Sequence, residues 1–169
     1  MTNRAERSRS WRAVVSALLW TVGMLALPAR TLAYPQPMSG ASVAVDHIAL
    51  HVADLDTSVA FYGQVLGLRE IPSAAQGRRW MALGAAQLHL LGGRTAPVPE
   101  NRERHVALTT DSLEPVMAAL KARGMNWQDF AGNVGQVSQT RSDGVRQIFF
   151  RDPDGYWIEI NDARKLAKP

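Results

Sequence analysis

Three histidines and one glutamate carry the chemistry in this chain: His47, His89, His105 and Glu159. Imidazole nitrogens with a carboxylate are the donor set of a borderline divalent ion such as zinc, nickel, iron, manganese or cobalt. Four protein donors leave room for a substrate only in a five- or six-coordinate centre, which favours a catalytic ion over closed tetrahedral zinc. A lone histidine on a half-buried strand is ordinarily a hydrogen-bonded structural residue, and a lone Glu159 a strand-edge carboxylate. Position lifts these four above that. His47-Ile48-Ala49-Leu50 lies over His105-Val106-Ala107-Leu108, and in each run histidine and alanine share one strand face while the aliphatic residues share the other. Gln87-Leu88-His89-Leu90 and Trp157-Ile158-Glu159-Ile160 repeat the alternation, with His89 and Glu159 turned away from their branched neighbours. The members of each pair lie tens of residues apart, so only a fold can bring them together. With no cysteine anywhere, disulfides, thiolate ligands and a cysteine nucleophile are excluded.

The elements that must position these groups come twice. Residues 43–52 alternate with period two and read as a strand. Asp54 or Asp56 can cap a helix whose apolar positions are Val59, Tyr62, Val65 and Leu66, ended by Gly67. Spans 68–71, 79–83 and 87–91 follow as three strands. From His105 the order recurs: a strand over 105–109, a capping box from Asp111 to Glu114, a helix through Leu113, Val116, Met117 and Leu120, and Gly124 as its stop. Strands are then expected over 126–130, 147–150 and 156–161, the last two joined by the tight turn Asp152-Pro153-Asp154-Gly155. The expectation is an α+β fold of two βαβββ modules, 43–92 and 104–162, with a polar linker over 93–103, an extended segment over 34–42, a tail over 163–169, and a glycine- and serine-containing loop over 132–144.

Residues 1–33 read as a secretory signal peptide: a start carrying Arg4, Arg7, Arg9 and Arg12, an apolar run over 13–27, and the small-residue site Thr31-Leu32-Ala33. The run is short for a membrane span, so membrane attachment would require an uncleaved leader. A periplasmic or secreted location follows. The leader carries the whole formal charge of +4, since it holds five of the 19 basic residues and one of the 15 acids. The remainder is neutral and shows no basic stripe, so the composition offers nothing to nucleic acid.

The runs Asp46-His47-Ile48-Ala49-Leu50-His51-Val52, Ser58-Val59-Ala60-Phe61-Tyr62 and Val65-Leu66-Gly67-Leu68 resemble the opening of the vicinal oxygen chelate superfamily, which includes glyoxalase I, thiol transferases of fosfomycin resistance, extradiol dioxygenases and bleomycin-resistance proteins. The run from Phe149 to Ile160 resembles its closing signature. The resemblance implies two βαβββ modules whose mixed sheets form a cup around one divalent ion that chelates a small oxygenated substrate. It places His47, His105 and Glu159 at ligand positions and His89 where glyoxalase I has a glutamate, which leaves Glu159 as the carboxylate base. A glyoxalase I-like lyase or isomerase is the leading expectation. An iron-dependent dioxygenase, a metal-dependent thiol transferase and a non-catalytic ligand-binding protein are the alternatives. Secondary pocket candidates are His51, on the face of His47, and Arg146 with Gln147, which would hold a substrate carboxylate; Trp80, Phe149 and Trp157 would line the cup or pack in the core. Proteins of this kind close the cup within one chain or across a homodimer, and both arrangements are open.

Overall fold

The computed structural model describes residues 43–73 and 75–167; the leader and the extended segment lie outside them. Strand β1, His47–His51, is shorter than the alternation from Val43 suggests: Val43 and Val45 are exposed and lie before the first ladder pair, His47–Gln87. Helix α1, Leu55–Leu66, starts where Asp54 accepts a 2.7 Å hydrogen bond from the Thr57 amide. It stops at Gly67, whose φ of 67° is left-handed and costs a side chain-bearing residue about 1–2 kcal/mol. Three strands follow: β2 Glu70–Ile71, β3 Arg78–Leu83 and β4 Ala86–Leu91. They form one mixed sheet in the order β1-β4-β3-β2, with β1 parallel to β4.

The second module runs β5 His105–Thr109, α2 Glu114–Ala122, β6 Gln147–Arg151 and β7 Trp157–Asn161, and ends in a 3₁₀ turn, Ala163–Ala167. Its sheet has the order β5-β7-β6, with β5 parallel to β7. Two expectations need correction here. No strand forms over 126–130; the segment pairs with β6 through the isolated bridge Gln128–Phe149, and Ser138 further on bridges Gln147. Asp129 draws the Asn133 amide and side chain onto its carboxylate at 2.8 Å, and Gly132 turns at φ 96°, so the chain curls away from a ladder. Helix α2 begins at Glu114, with Leu113 rather than Asp111 at the N-cap position; Pro115 opens its first turn, where its missing amide proton costs nothing, and the Ser112 hydroxyl bonds Glu114.

Alternation decides the faces. Leu50, Leu88, Leu90, Ile148, Phe150, Ile158 and Ile160 turn inward with Phe61, Tyr62, Val65, Val116 and Leu120 of the helices into one core shared by both modules. Each such side chain contributes roughly 1.5–3 kcal/mol on burial. The modules are further tied by the turn after β6. Asp152 accepts from the Tyr62 hydroxyl at 2.7 Å. Asp154 accepts from the Ala53 amide at 2.7 Å, from Arg94 at 2.6 Å and from the Ser58 hydroxyl at 3.1 Å. By contrast, the two sheets share no ladder: among the described residues β1 and β5 are both end strands.

Candidate metal centre

The polar face of the first sheet holds His47, Ala49 and His51 on β1, Gln87 and His89 on β4, and Trp80 on β3, since Ala49 and Trp80 are the register partners of His89. Alanine at 49 leaves the space into which the two imidazoles lean. Their rings stack at a 4.1 Å centroid distance and a 12° interplanar angle, and Trp80 stacks on the far face of His89 at 4.5 Å and 10°. His47 Nδ1 meets Asp46 at 2.6 Å, and His89 Nε2 meets the Gln87 side-chain oxygen at 2.8 Å. Both contacts therefore consume an N–H, leaving Nε2 of His47 and Nδ1 of His89 as the lone-pair nitrogens. Burial, then the charge of His47, holds the His89 pKa below its ordinary value, which favours the neutral, ligating form.

The second sheet repeats this register. Ala107 pairs with Glu159 in the β5–β7 ladder, and His105 lies two residues before it. His105 Nδ1 donates to the Arg102 carbonyl at 2.8 Å, so Nε2 is again the free nitrogen, 3.1 Å from Glu159 Oε2. The Asn161 amide donates to the other carboxylate oxygen, Oε1, at 2.9 Å. Glu159 is 7% exposed and Phe149 1%, so the carboxylate is shielded from water while the His105 imidazole reaches the surface. In the neutral tautomer, Nε2 and Oε2 are two acceptors facing each other, an arrangement that a shared cation or proton relieves. Donors about 2.1 Å from a common ion and about 95° apart lie ~3.1 Å from each other. The pair thus fits a divalent ion in chemistry and in spacing.

The structure brings the four expected ligands together in two pairs, not as one cluster. Among the described residues no group of three His, Cys, Asp or Glu side chains is close enough to hold an ion. Nor can His47 and His89 both meet one ion as they stand, because nearly parallel rings aim their in-plane lone pairs along nearly parallel lines; one ring must turn.

The secondary candidates divide. His51 is exposed on the face of His47, and its carbonyl accepts from the Tyr156 hydroxyl at 3.0 Å. Gln147 lies on the face of Glu159 but is buried beneath Ser138. Arg146 points elsewhere, onto Asp162 at 2.8 Å and Glu114 at 3.0 Å, where it clamps the end of β7 to α2. Trp157 is buried between guanidinium groups, with Arg151 4.7 Å and Arg102 5.8 Å from its ring. Sequence reasoning missed the supporting groups Asp46, Gln87 and Asn161. Gln87 and Asn161, two residues from His89 and Glu159 on the same strand faces, carried a signal in the strand period. Arg141 was missed as well: it pairs with Asp143 at 2.6 Å and feels the charge of Glu159.

Comparison with known proteins gives the family of this fold. The family model described as the Glyoxalase/Bleomycin resistance protein/Dioxygenase superfamily matches residues 44–160. YwbC of Bacillus subtilis is 31% identical over 125 residues, covering 69% of this chain and 94% of YwbC. A protein of Vibrio parahaemolyticus named "Probable lactoylglutathione lyase" is 31% identical over 133 residues, 72% of this chain and 91% of the relative. Among solved structures, Oxidase ChaP-H1 superposes with a TM-score of 0.60 at 25% identity, covering 71% of this chain and 95% of its own. A βαβββ module followed by a βαββ module, first and last strands paired in parallel in both, and a family model spanning both modules lead to one conclusion: this chain belongs to the glyoxalase/bleomycin-resistance/dioxygenase superfamily.

Proposed function

We propose that the protein is a divalent-metal-dependent enzyme, a glyoxalase I-like lyase or isomerase of a small oxygenated substrate, with each site completed between two copies of the chain. The observation that carries this reading is the approach of His105 Nε2 to Glu159 Oε2, with Nδ1 already committed. Bound there, a divalent ion would act as a Lewis acid on paired substrate oxygens and acidify the adjacent C–H. His105 and Glu159 of one copy would hold it with His47 of the other, and His89 would join if its ring leaves the stack. Asn161 donates to Oε1 of Glu159 and leaves Oε2, the oxygen that would hold the ion, as the one that could release it, take a proton from the substrate carbon and return that proton to the neighbouring carbon. Phe149 and the residues around it exclude water from that carboxylate. The half-sites favour a dimer because β1 and β5 offer unpaired outer edges, the usual place for another strand to add. A groove of about 500 Å³ also flanks β5, lined by Leu66, Leu68, Leu83, Ala107, Leu108 and Thr109, which suits a second copy.

An oxygen-dependent reaction is the second reading. His47, His105 and Glu159 alone make the two-histidine, one-carboxylate set of non-haem iron, and the stacked ring of His89 keeps it out of that set. Metal analysis of protein produced with nickel, cobalt, zinc or iron tests both. Activation by nickel, cobalt or zinc on a hemithioacetal supports the lyase; iron with oxygen uptake on a catechol supports the dioxygenase. Protein that binds no ion under any supply refutes both readings, and activity that survives Glu159→Gln removes Glu159 as the base. The proposal also puts the protein outside the cytoplasm, on the strength of the leader alone; fractionation of cells making the full chain tests that.

A further inference from the structure

We propose that Arg102, in the linker between the modules, is a positioning residue that sets the tautomer and angle of His105. The inference rests on the reading of His105 as a ligand only for its consequence, not for its geometry. The backbone of Arg102 makes the first contact, since its carbonyl takes the His105 Nδ1 proton at 2.8 Å. The side chain anchors that carbonyl. Its guanidinium lies 5.6 Å from the Phe130 ring centroid, 5.7 Å from Phe149 and 5.8 Å from Trp157, a three-walled aromatic box. It also donates to the Asp129 carbonyl at 3.3 Å and to the Phe130 carbonyl. A planar guanidinium satisfies carbonyls in its plane and aromatic rings on its faces at once, which an ammonium cannot do.

Phe149 links the two functions, because its ring also meets His105 edge-on at 5.6 Å and 90°. The turn that carries Arg102 is held at its base by Asn101, whose carbonyl accepts from the Arg104 amide at 3.1 Å and whose side chain accepts from the Glu103 amide at 2.9 Å. Anchor, turn and carbonyl thus form one rigid path to His105 Nδ1. With that proton held, the lone pair of Nε2 faces Glu159, the tautomer a metal ligand requires. Without the anchor the carbonyl drifts, and Nε2–H donating to Glu159 Oε2 becomes the better arrangement. That closes the pair on itself.

Ring-nitrogen NMR of the full chain, labelled with ¹⁵N-histidine and stripped of metal with a chelator, reads the tautomer directly. Above the titration of the imidazoles, His105 of the wild type should carry its proton on Nδ1. Arg102→Ala should move the dominant proton to Nε2, and Arg102→Lys should not restore the wild-type spectrum. Phe130→Ala, which removes an exposed wall of the box without touching His105, should shift the tautomer part of the way and serves if Arg102→Ala does not fold. An unchanged Nδ1–H tautomer in a folded Arg102→Ala or Phe130→Ala protein overturns the inference. Zinc titration of the same samples should show binding weakened about 10- to 100-fold, the usual effect of losing an outer partner of a ligating histidine. A shifted tautomer with unchanged zinc affinity upholds the positioning role and counts instead against His105 as a ligand.

Discussion

If each centre takes His47 and His89 from one copy and His105 and Glu159 from the other, then two inactive chains should complement. One chain would carry His47→Ala with His89→Ala, the other His105→Ala with Glu159→Gln. A homodimer of either has both sites broken. In the mixed dimer one site combines both damaged halves and the other combines both intact halves. Random assembly of equal amounts makes half of the dimers mixed, each with one good site of two, so about a quarter of the wild-type metal should return. Two affinity tags raise the expectation to about half in the purified mixed dimer. The assay is equilibrium dialysis against zinc or nickel after co-refolding, with wild type treated alongside and mass measured by sedimentation. A purified mixed dimer that binds no ion refutes the reasoning while refolded wild type binds its full complement. So does a wild-type monomer holding one ion per chain.

Other consequences concern the frame around the centre. Tyr62→Phe removes the 2.7 Å hydrogen bond to buried Asp152 and should cost about 1–3 kcal/mol in urea denaturation. Burial, then the charge of Asp152, raises the Tyr62 pKa well above its ordinary 10.0, so the unfolded chain releases this proton first. The contribution is present in full below pH 10.0 and is lost as pH rises towards the folded-state pKa; wild type should weaken as pH rises above 10.0 while Tyr62→Phe loses that part of the slope. Arg146→Ala strips a partner from the fully buried Asp162 carboxylate and should cost on the order of 1–3 kcal/mol, yet leave metal affinity unchanged because the side chain points away from Glu159; calorimetry with zinc titration checks both. Gly67→Ala meets no atom within 4 Å and should still destabilise by about 1–2 kcal/mol through its left-handed φ, read as a shift of the urea midpoint.

Much of this was legible in order along the chain. Period two over His47–His51 and Trp157–Asn161 placed His47 and Glu159 on the polar face, because successive strand side chains must alternate. Asp54 and Gly67 marked α1 through local rules that need no partner. The span 126–130 misled because its alternation is real while Asp129, Asn133 and Gly132 pull the backbone into a closed turn. Arg146 misled because a charge beside a ligand strand looks the same whether it turns towards the cup or towards Asp162.

Sequence by itself singled out the candidate ligands and the strands that carry them, since residue type and strand period are local properties. It also carried the recurrence of His-aliphatic-Ala-aliphatic at 47–50 and 105–108. Only the tertiary structure decided that the four groups stand as two pairs, that His89 lies stacked between Trp80 and His47, and that a linker arginine reaches the imidazole of His105. Those are matters of how separate segments lie against one another. They follow from the packing of one shared core and from two strand edges that this chain leaves unpaired among its described residues, neither of which any local pattern encodes.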